Sequence, residues 1–166
     1  MSDFDKALTF SLKWEGGDKI TDDPDDAGGL TKYGISKRAH PDLDIANLTH
    51  EQAAEIYKKD YWIAGGCEAM PYPVNMAHFD ACVNHGVRNA TKILQRAAGV
   101  LDDGKIGPHT MNGIMSMDPY LMTIAMITER NRFYHLIVEA NQTQAKFLRG
   151  WLNRTADLTK VIEDGG

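Results

Sequence analysis

The stretch KWEGGDKITDDPDDAGGLTKYGI, residues 13–35, decides how the first part of this chain folds. A helical pattern of apolar residues leads into it, and the pair Gly16-Gly17 predicts that the helix stops there. Glycine pairs, a proline and the short runs KIT and LTKYGI follow, which predicts a small β-hairpin or flap rather than helix. Glu15 is therefore the last residue before the flap.

The rest of the sequence has apolar residues at helical spacing in most segments. Residues typical of helix ends mark the boundaries. Thr49 and Gln52 form a capping box at the start of one helix, and Pro73 and Gly86 lie at the start and end of the next. Asn89 and Gly99 mark the start and end of a further helix, Asp118-Pro119 start a long one, and the last helix begins at about Gln142. The sequence thus predicts a mainly α fold that carries one small β flap after the first helix.

Length and charge limit the class of protein. The chain has 166 residues and a formal net charge of −5, which suits one domain and argues against nucleic acid as a partner. Its basic clusters, ERNRFYH and FLRGWLNR, fall on helical patterns and are predicted to be solvated helix faces. Two cysteines, Cys67 and Cys82, lack CxxC spacing and are expected to be reduced, partly buried thiols.

The sequence also carries expectations about location. No apolar run approaches membrane-spanning length, so stable membrane insertion is not expected. The first ten residues, MSDFDKALTF, lack the basic start and apolar block of a signal peptide. We therefore expect a protein that is made in the cytoplasm and exported, if at all, by other means. A monomer is also expected.

Glu15 stands out because its position disfavours a charge. A carboxylate in the last turn of a helix faces the negative end of the macrodipole, and Glu15 follows the apolar stripe that contains Ser11 and Leu12. A carboxylic acid that keeps its proton is what cleavage of a glycosidic bond requires, because the leaving oxygen must be protonated. The alternative is that Glu15 turns to the edge of the helix and stays hydrated.

A glycosidase also needs a second carboxylate that stays ionised. The flap contains four candidates: Asp22, Asp23, Asp25 and Asp26. Asp26 is favoured because Gly28 and Gly29 follow it and permit a sharp turn that fixes its direction. Thr31, five residues further on, could hold a water molecule through its hydroxyl group.

Metal sites are the alternative use of such residues. In a calcium-loop register, Ala27 and Gly34 would fall where oxygen ligands are needed. The sequence has no HExxH motif, and His78 and His85 lie seven residues apart without an obvious third ligand. No metal and no cofactor are predicted.

Three further residues are candidates for sugar binding. Asp80 and Asn84 lie four apart, on one helix face, so both could hydrogen-bond sugar hydroxyl or acetamido groups. Their alternative is ordinary polarity of a helix surface. Tyr33 offers a ring for stacking on a sugar, whereas Trp62 is expected in the aromatic core.

Residues 14–35 resemble the signature of glycoside hydrolase family 108, which has Glu-Gly-Gly, then Asp-x-Gly-Gly-x-Thr, then Tyr-Gly-Ile. The segment IYKKDYW is similar to the next helix of that family. The segment FDACVNHGVRNATKILQRAAGVLDDGKIGPHT is similar to its C-terminal half, often called a peptidoglycan-binding region, and FLRGWLNR to its closing helix. The family comprises bacterial and phage muramidases of lysozyme-like fold, some once described as secretion activators.

The resemblance implies a role for each of three residues. Glu15 would be the general acid, and Asp26 and Thr31 would position the attacking water. The order of these residues along the chain, Glu, then Asp, then Thr, is similar to that of the catalytic trio of tailed-phage lysozymes. The implied activity is hydrolysis of the bond between N-acetylmuramic acid and N-acetylglucosamine in peptidoglycan, without a metal or cofactor. A phage endolysin that reaches the wall through a holin-type lesion is the implied context.

The resemblance also implies an organisation of the chain. Residues 1–166 would form one lysozyme-like domain, with an N-terminal catalytic part at 1–70 and a helical, peptidoglycan-binding part at 71–166. Two other functions stay open. One is a lytic transglycosylase, which closes the muramic acid ring instead of adding water. The other is a non-catalytic wall-binding or secretion-assisting protein.

Overall fold

The computed structural model describes residues 1–25 and 28–165, so Asp26 and Ala27 lie outside the described residues. The described residues form one two-stranded sheet and seven α-helices: α1 (Asp3–Trp14), α2 (His50–Tyr57), α3 (Val74–His85), α4 (Val87–Ala98), α5 (Pro108–Met115), α6 (Pro119–Ala140) and α7 (Ala145–Glu163). A π-helical turn, Lys58–Ile63, continues α2. The predicted class, mainly α with a small β flap, is confirmed.

Helix α1 ends where the sequence predicts. Glu15 is its C-cap, and the N–H group of Gly17 donates to the carbonyl of Leu12 at 2.9 Å. Gly16 and Gly17 have φ values of +94° and +59°, in the left-handed region that glycine adopts without strain. The glycine pair therefore turns the chain sharply out of the helix.

The flap is a hairpin of β1 (Thr31–Lys32) and β2 (Ile35–Ser36), paired antiparallel. Its turn consists of Tyr33 and Gly34, both with positive φ, as tight hairpins require. The N–H group of Tyr33 donates to the carbonyl of Gly17 at 2.9 Å. This hydrogen bond holds the hairpin against the end of α1.

Helix α3 lies at the centre of the apolar core. It is buried from Val74 through Cys82 and packs against α1, α4 and α6. The ring of Phe79 is fully buried, with its centroid 5.8 Å from that of Phe4 and 5.7 Å from that of Trp62. Trp62 is thus in the aromatic core, as expected, and one cluster of buried residues joins helices from α1 to α7.

One predicted detail of the helices is wrong, and one helix was not predicted. Helix α4 has Gly86, rather than Asn89, as its N-cap. Gly86 has φ +83°, which lets the chain turn directly from α3 into α4 without a separate polar cap. Helix α5 is not predicted by the sequence signals above; it begins at Pro108, because proline at the first helical position is already set to a helical φ.

Other predicted features are confirmed. Thr49 and Gln52 form a capping box at the start of α2, and the side chain of Asp118 caps α6. Cys67 and Cys82 are buried free thiols. None of the helices in the described part of the chain combines the length and the apolar character needed to cross a membrane.

Candidate active site

Glu15 lies where α1, the flap and α7 meet. Its side chain is 26 % exposed, and its Oε1 atom accepts a hydrogen bond from Nη1 of Arg154 at 2.8 Å. Its Oε2 atom faces the Gly34 turn and accepts no hydrogen bond from any described residue. One carboxylate oxygen is therefore held by a cation, and the other is available to a ligand.

Gly34 packs so closely against this carboxylate that no side chain fits there. A Cβ atom at this position would lie 2.6 Å from Oη of Tyr57 and 2.9 Å from Cβ of Glu15. Tyr57 is itself fixed, because its hydroxyl donates to the carbonyl of Tyr33 at 2.7 Å. Burial, reinforced by the charge of Glu15, raises the pKa of Tyr57, so this hydroxyl stays protonated and keeps donating.

Arg154 connects Glu15 to a buried carboxylate. Asp80 is fully buried, and its two oxygens accept hydrogen bonds from Nε and Nη2 of Arg154 at 2.7–3.2 Å. Nη1 of Arg130 donates to it at 2.7 Å, and the hydroxyl of Ser11 donates at 2.8 Å. Burial alone would raise the pKa of Asp80, but the two arginines outweigh it and lower the pKa to about 2.

Arg130 carries the network to the end of α3. Its Nη2 atom donates to the side-chain oxygen of Asn84 at 3.2 Å, and its Nε atom donates to Nε2 of His85 at 3.0 Å. Burial, followed by the charge of Arg130, lowers the pKa of His85 to about 3, so the imidazole is neutral and accepts this bond. The hydroxyl of Tyr134 also donates to Asn84.

This network changes the electrostatic argument for Glu15. The helix end and the apolar stripe disfavour a charge on Glu15, as the sequence indicates, but Arg154 favours it and was not foreseen. Asp80 takes three hydrogen bonds from Arg154 and one from Arg130, so a single carboxylate is shared by two arginines. Glu15 therefore faces an ion cluster that has a fixed geometry and keeps one net positive charge.

Of the two flap residues predicted to act with Glu15, the structure describes Thr31 but not Asp26. Asp26 lies outside the described residues. Thr31 is in β1, and its hydroxyl donates to the carbonyl of Gly29 at 3.1 Å. Asp23 accepts the N–H group of Asp25 at 2.9 Å, so it closes a local turn. The role predicted for Thr31 and Asp26 in positioning water stays a prediction.

The three predicted sugar-binding residues lie in different environments. Asp80 has no exposed surface, and the arginines and Ser11 occupy both its oxygens, so its position argues against direct contact with a sugar. Asn84 is partly exposed and belongs to the Arg130 network. The ring of Tyr33 lines a groove of about 360 Å³ together with Leu12 and His50.

The sequence did not reveal that these two arginines are buried, although other residues of their segments, such as Arg132 and Arg149, are exposed as predicted. ERNRFYH and FLRGWLNR were predicted to be solvated faces, yet Arg130 is 2 % and Arg154 is 5 % exposed. A buried arginine needs a buried carboxylate, and the partner here, Asp80, lies 50 and 74 residues away in sequence. The only local signal is that each arginine follows an apolar residue at helical spacing.

The described residues contain no group of three or more histidine, cysteine, aspartate or glutamate side chains arranged to hold a metal ion. His78 and His85 lie on one helix, but their side chains have different partners: the carbonyl of Gly65 and Arg130, respectively. Each imidazole makes its hydrogen bond through Nε2, whereas Nδ1 of His78 is buried and has no hydrogen-bond partner among the described residues.

A mainly helical fold that ends its first helix on a partly exposed glutamate, beside a small hairpin, is the architecture of a lysozyme-like protein. Residues 8–86 match the family Glycosyl hydrolase 108, and residues 89–156 match the Predicted Peptidoglycan domain. The chain therefore combines a glycoside hydrolase 108 domain at residues 8–86 with a peptidoglycan domain at residues 89–156, and it is a lysozyme-like peptidoglycan hydrolase.

A solved structure supports the same assignment. SagA from Brucella abortus is similar to this chain with a TM-score of 0.78 and 27 % sequence identity, over 95 % of this chain and 91 % of that chain. No curated protein matches the sequence.

Proposed function

We propose that this peptidoglycan hydrolase is an N-acetylmuramidase, which cleaves the bond from N-acetylmuramic acid to N-acetylglucosamine by adding water. The observation that carries the proposal is the asymmetric environment of the Glu15 carboxylate. Oε1 is held by Arg154 at 2.8 Å, and Oε2 faces the flap without a hydrogen bond from the described residues. A general acid needs one such free oxygen, pointed at the leaving group.

In the proposed mechanism, Glu15 donates a proton from Oε2 to the glycosidic oxygen while the bond to the sugar breaks. Arg154 then stabilises the carboxylate that is left, since its guanidinium group is already at hydrogen-bond distance and needs no reorganisation. Asp26 and Thr31 position the water that attacks the muramic acid carbon. Asp26 takes one proton from this water as the new C–O bond forms, and proton exchange with solvent then returns a proton to Glu15 and leaves Asp26 ionised.

The test is mass spectrometry of purified peptidoglycan after digestion by the protein. Fragments with reducing muramic acid ends are expected, because hydrolysis adds water at that carbon. Anhydromuramic acid ends would instead identify a lytic transglycosylase. A folded protein that binds walls and releases no fragments would be a binding or secretion-assisting protein, and the muramidase proposal would be rejected.

We further propose that the protein acts as an endolysin, which accumulates inside the cell and reaches the wall through a holin-type membrane lesion. The support is the resemblance to phage muramidases. Expression alone should leave cells intact, and co-expression with a holin should lyse them within minutes. Lysis without a holin would argue for another route of export.

A further inference from the structure

An aromatic stack continues the ion network toward solvent. The ring of Trp151 stacks on that of Tyr134, with centroids 5.1 Å apart and an interplanar angle of 17°. Phe147 follows at 5.9 Å and 30°. Tyr134 is buried, Trp151 is partly exposed, and Phe147 is 46 % exposed, so the stack runs from the core to the surface.

The stack lies on the same face of α7 as Arg154, the residue that binds Glu15. Trp151 and Phe147 precede Arg154 by three and seven residues, so all three share one helix face. The end of α1 contacts α7 one turn after Arg154, at Asp157. There, Nζ of Lys13 and Nε1 of Trp14 donate hydrogen bonds to the Asp157 carboxylate at 2.8 and 2.9 Å. Starting from the contact with the end of α1, this face of α7 therefore runs toward the N-terminus of the helix and carries first Trp151 and then Phe147.

Gly150 leaves this face flat. It lies inside α7, three residues after Phe147 and four before Arg154, and a Cβ atom there would meet nothing within 4 Å. Glycine inside a helix costs roughly 1 kcal/mol relative to alanine. The local stability of α7 thus gives no reason for this residue, whereas a ligand lying across the helix face does.

We propose that Phe147, Gly150 and Trp151 form a glycan subsite that holds a sugar ring of the peptidoglycan strand next to the bond cleaved at Glu15. Aromatic rings fixed in a stack can receive the apolar face of a pyranose ring and lose little conformational entropy when they do. The inference rests on the proposed function, because the position of the subsite along the peptidoglycan strand is defined relative to the glycosidic bond that Glu15 cleaves.

The charge of the same segment suits this ligand. No acidic residue lies between Glu139 and Asp157 in a chain of net charge −5, and the exposed Lys146 places its Nζ atom over the Phe147 ring, 5.1 Å from the ring centroid. The lactyl groups and peptides of muramic acid carry carboxylates. A cation beside the stacking ring therefore complements a substituted muramic acid strand.

The test measures binding of variants to insoluble peptidoglycan by sedimentation, in a Glu15→Gln background that does not consume the ligand. Phe147→Ala should bind about 2- to 10-fold more weakly, which corresponds to the loss of one aromatic contact. Gly150→Leu should also bind more weakly, since its side chain covers the flat face, although leucine favours the helix. Phe147→Tyr keeps the ring and should bind normally.

Tyr120→Ala is the matched control, because Tyr120 is 40 % exposed and lies at the opposite end of the α6–α7 hairpin, beside Glu163. It should bind as the background protein does. Unchanged binding by both Phe147→Ala and Gly150→Leu, or an equal loss in Tyr120→Ala, would overturn the subsite. If the wild-type protein releases no reducing ends but binding still depends on Phe147, the muramidase proposal fails and the subsite stands.

Discussion

Arg154 and Glu15 lie 139 residues apart in sequence, yet Nη1 of Arg154 donates a hydrogen bond to Oε1 of Glu15 at 2.8 Å. The same guanidinium group holds the fully buried Asp80, so burial and hydrogen bonding fix its orientation before it reaches Glu15. The core of the C-terminal helices thereby determines which way the carboxyl group at the end of the first helix points.

Arg154→Lys should lower kcat strongly and leave KM nearly unchanged. Lysine keeps the charge but cannot bind Asp80 and Glu15 at once with fixed geometry. Arg154→Ala should also destabilise the fold by about 3–5 kcal/mol, because it removes a partner of a buried carboxylate.

Kinetics on solubilised peptidoglycan measure the first effect, and denaturant unfolding measures the second. Arg132→Lys, at an exposed arginine of α6, is the control. A wild-type kcat in Arg154→Lys would contradict the positioning role.

Glu15→Gln should lower the rate of wall hydrolysis by about 10²- to 10⁴-fold, because the amide cannot donate a proton as a carboxylic acid does. The fold should survive, since glutamine has nearly the same shape and can still accept from Arg154. Release of muramic acid ends and thermal unfolding are the measurements. Glu55→Gln, at an exposed position of α2, should be fully active. Near-normal turnover by folded Glu15→Gln would reject the mechanism.

Gly34→Ala should reduce activity far more than Gly29→Ala. Both glycines have positive φ, +72° and +67°, so both substitutions strain the flap backbone similarly. Only the alanine at position 34 would collide with Tyr57 and Glu15, whereas nothing lies within 4 Å of a Cβ at position 29. A displacement of Glu15 by about 1 Å can cost roughly 10²-fold in rate. Equal activities of the two variants would show that the contact with Gly34 does not matter.

Asp26→Ala should cost much more activity than Asp22→Ala or Asp23→Ala. The physical reason is that Asp26 adjoins the glycine turn that leads into β1, and a lost general base costs about 10²-fold or more. Asp23 closes a local turn, so its replacement should affect stability slightly. Rates on peptidoglycan for the three variants measure the difference. Three equal, small losses would mean that the second carboxylate lies elsewhere.

Stability should fall as the pH drops below about 6.5. Burial lowers the pKa of His78 to about 4, and burial together with Arg130 lowers that of His85 to about 3. The unfolded chain binds protons at its ordinary value of 6.5, whereas the folded protein does not, so acid favours unfolding until the folded histidines titrate. The expected slope is up to about 1.4 kcal/mol per pH unit for each histidine.

Denaturant unfolding at several pH values between 7 and 4 measures this slope. His85→Gln should be less sensitive to pH than the wild-type protein, and His109→Gln, at an exposed histidine of α5, should be as sensitive. A stability that stays constant from pH 7 to pH 4 would contradict the burial argument.

The sequence alone determined the local structure. Glycines at 16 and 17 ended α1, the capping box at Thr49 started α2, and Asp118-Pro119 started α6, because these signals act within one turn of the chain. Family motifs in residues 14–35 also pointed to Glu15. The sequence placed the start of α4 at Asn89 instead of Gly86, where the chain passes from α3 into α4 without a polar cap, and it did not predict α5.

Only the tertiary structure decided what surrounds Glu15. Arg130 and Arg154 lie on segments that look like solvated helix faces in sequence, and their burial follows from Asp80, a partner on a third helix. An arginine, a carboxylate and a glycine turn from distant segments meet because the core packs α1, α3 and α7 together. Such contacts between distant residues depend on packing in three dimensions, which no periodicity along the chain records.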